Sequence, residues 1–315
     1  MKINKKEIGG YIELALPEKI HHYHKKAVAV NSGRNGLRYI IRAYSITDIW
    51  VPYFTCHVVW DALKAENCNL HFYHIDENMM PKQDFAANAY IVYTNYYGVC
   101  SNNIKILAKK YKNLIIDNTM AFYMRSYGLA SFYSPRKFFG VPDGGYVICD
   151  RKLRQSLPKG TSFHRFSHLV KKIDLSSDEA YADFNRNDDT LIGEDLTLMS
   201  QLTTRILSGI DYKNAKKRRI DNFLYLDKKL GYLNGKRFEL DDNVPMYYPF
   251  YSSHIGLREK LIEAKIYIPS CWRETEEYTN DITELDIHKH LLPLIIDQRY
   301  TKYDMDKIVE VINKC

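Results

Sequence analysis

Short, continuous apolar runs alternate with stretches of helical spacing through the first half of the chain. Residues 49–51, 70–73, 90–94 and 114–116 form the apolar runs, the last closing on Asp117. Between them, residues 37–43, 58–65 and 104–111 carry apolar side chains at intervals of three and four, the mark of a helix with one buried face. Strand and helix in alternation predict a layered α/β fold. Because the strand runs are continuously apolar, the sheet is expected to be covered on both faces. Two further runs, 130–133 and 146–149, flank the segment SPRKFFGVPDGG.

Beyond Asp150 the pattern changes. Residues 151–195 are polar and read as irregular, after which helical spacing returns at 196–210 and about 214–230. The remainder reads β-α-β-β-α, from 246–251, 257–264, 266–268, 291–296 and about 304–312. This places a large domain at 1–210 and a small one at 211–315, with the boundary somewhere within 210–240.

Composition narrows the function classes. The 315 residues are 45% apolar and 26% charged, as in an ordinary globular protein. No run of about 18 apolar residues is present, so no spanning helix and no membrane partner are expected. The basic start lacks the apolar core of a secretory signal. The six cysteines are scattered with no C-x-x-C pair, the pattern of reduced thiols in a cytoplasmic protein. Net charge is +7, densest at Lys213–Arg219, where a solvated helix face is expected and no nucleic-acid partner. His21, His22 and His24 lack a carboxylate or cysteine partner, read as a surface segment, and predict no metal.

Three features carry candidate chemistry. Lys137 lies among Arg136, Phe138 and Phe139, in the segment between two strands. Apolar enclosure and a nearby positive charge lower a lysine's proton affinity and let its amine form an imine with an aldehyde. Asp117 ends an apolar strand, the position from which open α/β sheets face their ligands. Alone it reads as a turn former. Ser32-Gly33-Arg34 precedes a helical stretch, and a helix start of this kind cradles a phosphate, although an ordinary cap has the same sequence. Together the three fit one ligand that has an aldehyde, a basic ring nitrogen and a phosphate.

Read in order, the segments resemble the DegT/StrS family of pyridoxal-phosphate-dependent sugar aminotransferases. AVAVNSGRNGL is similar to the family's phosphate-binding Ser-Gly-Thr-x-Ala-Leu segment, and VPYFTCHVVWDAL with HFYHIDENMMP to its strand-helix-strand. TNYYGV stands at its His-x-x-Gly turn, LIIDNTMAF at its Glu-Asp-Ala-Ala-Gln-Ala segment, and SPRKFFGVPDGG at its lysine loop. LREKLIEAKIYIP and LLPLIIDQRYTKYDMDKIVEVI look like its C-terminal domain. The resemblance implies the aspartate-aminotransferase fold (fold type I): a large, mixed, mostly parallel sheet sandwiched by helices, with a smaller α+β C-terminal domain.

It further implies pyridoxal 5′-phosphate as cofactor, Lys137 as the Schiff-base lysine and Asp117 as the partner of the ring nitrogen. Ser32, Gly33, Arg34 and Ser134 would hold the phosphate. The substrates implied are an amino donor, glutamate, and a keto-sugar, nucleotide-linked, for polysaccharide or secondary-metabolite synthesis, in a homodimer with its sites at the interface. The chain also departs from the pattern. The family's Gln or His, which bonds the cofactor's phenolic oxygen, is Met120, and thioether sulfur is a poor substitute. The stacking aromatic is Cys56, leaving Phe54 or His57 as alternatives. The serine five residues before the lysine is Phe132, with Ser134 or Ser131 in reach. Asn185-Arg186-Asn187 is the nearest thing to the family's Asn-x-Arg motif. A relative that dehydrates sugars, or a non-catalytic homologue, would share the fold; retention of Lys137 favours amino transfer.

Overall fold

The protein was analysed as a computed structural model that describes residues 8–240 and 243–314. The first unit runs β1 (Val28–Val30), α1 (Gly33–Tyr44), β2 (Asp48–Pro52), α2 (His57–Lys64), β3 (Asn69–Tyr73), β4 (Ile91–Thr94), α3 (Ser101–Lys110), β5 (Leu114–Asp117), β6 (Ala130–Tyr133) and β7 (Gly145–Cys149). Two helices, α4 (Ser167–Asp174) and α5 (Ser177–Asp189), form a hairpin, followed by α6 (Gln201–Ser208) and the long α7 (Tyr212–Leu230). The chain closes with β8 (Tyr247–Tyr251), α8 (Leu257–Glu263), α9 (Thr275–Tyr278), α10 (Ile282–His290), β9 (Leu291–Ile295) and α11 (Lys302–Asn313).

Seven strands form one mixed sheet in the order β1-β7-β6-β5-β4-β2-β3. β7 runs antiparallel to both of its neighbours; the other pairs are parallel. Side-chain alternation divides the sheet between two cores. Val92, Ile115, Phe132 and Val147 pack with α1 and α2 through Leu37, Ile40, Trp60 and Leu63. Ile91, Tyr93, Leu114 and Ile116 face the other way, onto Ile104 and Leu107 of α3. A third core lies in the C-terminal part, where Phe223, Leu226 and Leu230 of α7 meet β8, β9 and α11.

α1 shows why the chain folds as it does locally. Ser32, in an extended conformation, accepts a hydrogen bond from the Asn35 N–H and starts the helix. Ser45 ends it in the left-handed region, its N–H reaching back to Arg42 and Ile41. Gly145 on β7 allows the sheet to approach this start, since a Cβ there would collide with the Ser32 carbonyl. Gly98 (φ +81°) meets the Met120 carbonyl in the same way at the end of the Tyr96–Gly98 turn.

The structure differs from the sequence pattern at several points. Residues 151–195, read as irregular, contain α4 and α5. α5 turns Ala180, Asp183 and Asn187 inward and leaves Tyr181 and Phe184 exposed, an inverted pattern with no apolar stripe to detect. Residues 266–268 form no strand, and α10 appears in a stretch where only Glu284 and Ile287 are buried. In the basic run, Arg219 is 2% exposed and not solvated.

The histidine segment is also more buried than its sequence indicates. His24 stacks obliquely on Tyr133 at 4.3 Å, and its Nε2 lies 2.7 Å from the Phe122 carbonyl oxygen, which requires a proton on that nitrogen. Burial pushes its pKa down to about 4, against the carbonyl, which pulls it up. The unfolded chain therefore binds the second proton first, and stability falls as pH drops from about 6.5 toward 4. The expected loss is about 3 kcal/mol in urea titrations at those two pH values, from about 1.4 kcal/mol per pKa unit. A His24→Gln variant should lose distinctly less over the same interval; an equal loss would assign the acid sensitivity elsewhere. Among the described residues no group of three or more His, Cys, Asp or Glu side chains could hold a metal ion.

Candidate active site

The carboxyl ends of β4, β5 and β6 lie side by side, with Thr94, Asp117 and Phe132 in register. β5 stops at Asp117 because its side chain takes over the backbone: Oδ1 accepts the Thr119 N–H at 2.8 Å. The carboxyl is 5% exposed. Burial raises its pKa above the ordinary carboxylate range, while the charge of Lys137 and the bonds from Thr119 pull it back down.

Lys137 approaches the same place from the next strand. β6 runs out at Tyr133, Ser134 follows, and Pro135–Lys137 makes a single tight turn. Phe138 and Phe139 are buried beneath it, anchoring an otherwise exposed lysine. Its Nζ donates to Thr119 Oγ1 at 3.1 Å. Thr119 thus touches both groups, its backbone on the carboxylate and its hydroxyl on the amine. Sequence reasoning missed this residue. The only available signal was the Asp-x-Thr spacing, which an Asp turn shares with many loops.

The first turn of α1 closes a third side. A Cβ on Gly33 would lie 3.1 Å from Thr119 Cγ2 and 3.4 Å from Ser134 Cβ. Glycine therefore lets the helix start come against the Lys137 turn, where its dipole favours an anion. Ser134 is buried beside it, whereas Ser131 is engaged with Ser126 and the Tyr127 carbonyl. The Ser32 hydroxyl is occupied as the helix cap. Arg34 directs Nη1 to the Leu191 carbonyl at 2.6 Å, and its buried Nε has no partner.

The remaining expected contacts lie at different depths. Cys56 caps α2 and is partly buried; burial pushes its thiol up, against the Val58 N–H and the Lys137 charge, which pull it down. Phe54 is wholly buried, with its ring on Trp272 at 4.8 Å and Tyr96 at 5.5 Å. Met120 belongs to the same apolar core as Phe54. His57 lies 3.1 Å from Glu274. In α5, Arg186 pairs with Asp183, and Asn187 bonds Ser167 and His168, so both serve the helical hairpin.

A pyridoxal phosphate requires an amine, a carboxylate and an anion-binding helix start close to one another, and Lys137, Asp117 and Gly33 all lie against Thr119. Arg34, in the first turn of the same helix, adds a buried Nε with no partner. The residues present fit the cofactor.

The architecture is that of the fold type I aminotransferases. Among solved structures, the chain is similar to the sugar aminotransferase CalS13 from Micromonospora echinospora, with 14% identity over 92% of this chain and 87% of that one, and a TM-score of 0.61. DesV from S. venezuelae, solved in complex with a ketimine intermediate, has 16% identity over 91% and 84% of the two chains, with a TM-score of 0.61. Spr1654 from Streptococcus pneumoniae, a putative sugar aminotransferase solved in its PMP form, has 12% identity over 91% and 86%, with a TM-score of 0.59. No family model matches the sequence, and no curated protein matches it. At these identities the likeness establishes the fold, and the chemistry is argued from the site.

Proposed function

We propose that the chain is a pyridoxal-phosphate-dependent aminotransferase that moves an amino group from glutamate to a keto-sugar, the sugar being nucleotide-linked. The observation that carries this reading is the meeting of Lys137 and Asp117 on Thr119. When bound, the cofactor supplies an aldehyde to capture amines and an electron-poor ring to stabilise a carbanion. Asp117, buried and held by the Thr119 N–H, would keep the proton on the ring nitrogen. Lys137 would move the proton to and from the substrate carbon, as general acid and base. The start of α1, with Gly33, Arg34 and Ser134, would fix the phosphate.

The sugar acceptor is supported by two of the solved structures of like fold, CalS13 and Spr1654, whose names are those of sugar aminotransferases. A cytoplasmic setting fits the free cysteines at 56, 68, 100, 149 and 271 and the absence, among the described residues, of any helix long and apolar enough to cross a membrane. A homodimer would close the open side of the lysine turn.

The test is a half-reaction. Wild-type protein mixed with pyridoxal phosphate is expected to gain a visible absorption band. Glutamate should then bleach the band with stoichiometric release of 2-oxoglutarate, and a keto acid should restore it. A protein that takes up the cofactor, yet leaves glutamate unchanged, would instead support a dehydrating or non-catalytic relative.

A further inference from the structure

The resemblance implies a hydrogen bond to the phenolic oxygen from the side chain at position 120, which here is Met120. Here that side chain is 8% exposed and packed in an apolar core with Phe54, Tyr96 and Trp272. A thioether donates no hydrogen bond. The polar group beside the lysine is one residue earlier. Thr119 Oγ1 stands 3.1 Å from Lys137 Nζ, and its backbone is fixed by the bond from its N–H to Asp117 Oδ1. Its methyl group faces Gly33, so the side chain is confined between the helix start and the lysine.

We propose that the Thr119 hydroxyl, and not residue 120, contacts the cofactor's phenolic oxygen in this protein. The proposal rests on the cofactor reading above. The chemistry is simple. In pyridoxal phosphate the aldehyde carbon and the phenolic oxygen are on adjacent ring carbons, so an imine nitrogen on Lys137 and that oxygen are neighbours. The Thr119 hydroxyl, 3.1 Å from Nζ, is therefore the side-chain donor that stands next to the place such an oxygen would take. The hydroxyl accepts from Nζ through a lone pair, so its own proton is left to donate to that oxygen.

The donor changes a measurable property. A hydrogen bond to the phenolate favours its charged form. The proton shared between imine and phenolate then leaves at lower pH than it would without the donor. Removing the donor should raise the pH at which the visible band gives way to the deprotonated form. One charge-assisted bond corresponds to about one pH unit, a tenfold change in proton affinity.

The experiment follows the visible band of the cofactor-loaded protein against pH in wild type, Thr119→Val, Thr119→Ala and Thr119→Ser. The titration is expected to move up by about one unit in the valine and alanine variants and to stay near wild type in serine. Alanine guards against crowding of Lys137 by the methyl group that valine puts in place of the hydroxyl. Wild-type titrations in both T119V and T119A would overturn the Thr119 assignment and leave the cofactor reading standing. No visible band in wild-type protein with excess pyridoxal phosphate would overturn both.

Discussion

Alanine at position 137 is expected to abolish the visible band and to slow amino transfer by about 10²–10⁴-fold or more, the usual share of a positioned acid-base group. The fold should be untouched. Lys137 is exposed, and its hydrogen bond goes to the half-buried Thr119, so thermal unfolding should shift by no more than a surface substitution does, within about 0.5 kcal/mol. Lys137→Arg separates charge from chemistry: a guanidinium keeps the positive charge beside Asp117 but forms no imine and stays protonated. It should be as inactive as alanine. Substantial amino transfer by either variant would remove Lys137 from the mechanism.

The second large effect concerns the support beneath that lysine. Arg219, on α7, is 2% exposed and forms no ion pair among the described residues. Its Nε donates to Gln298 Oε1 at 2.8 Å and its Nη1 to the Met246 carbonyl at 3.2 Å, while the guanidinium lies 4.4 Å from the centre of the Phe138 ring. Gln298 in turn donates to the Phe138 carbonyl at 2.6 Å. Residues of the C-terminal part thus grip the residue immediately after Lys137. Burial pushes the Arg219 pKa down to about 10, so it remains charged at neutral pH. Arg219→Ala removes a buried cation–π contact and two charge-assisted bonds, and leaves Gln298 Oε1 and the Met246 oxygen unpaired. The expected cost is about 3 kcal/mol in urea unfolding, with weaker cofactor retention. Arg219→Lys, which lacks the planar fork, should recover part of it. A loss below about 1 kcal/mol in the alanine variant would mean that the bridge contributes little.

The central strands of the large sheet were legible because β4, β5 and β6 are buried along their whole length; those expected at 114–116 and 130–133 appear at Leu114–Asp117 and Ala130–Tyr133. β1 was not, since Val28–Val30 is a brief run whose partner, β7, lies far along the chain. α5 escaped because it buries Asp183 and Asn187 in place of apolar residues. Arg219 was read as solvated because a charge run shows no phase. Only the helix reveals that Ala215, Arg219, Asn222, Phe223 and Leu226 share the buried face, while Lys213 and Lys217 remain outside. At the candidate site, Lys137 and Asp117 stood out in the sequence because the proposed imine and pyridinium chemistry needs those residue types. Thr119 was not, because a hydroxyl's role is set by the turn that aims it.

The most direct test of the central claim traps the amine. Wild-type protein loaded with pyridoxal phosphate, reduced with borohydride and digested, is expected to carry one stable adduct, on the peptide containing Lys137. An adduct spread over surface lysines, or found on a single different lysine, would contradict the account.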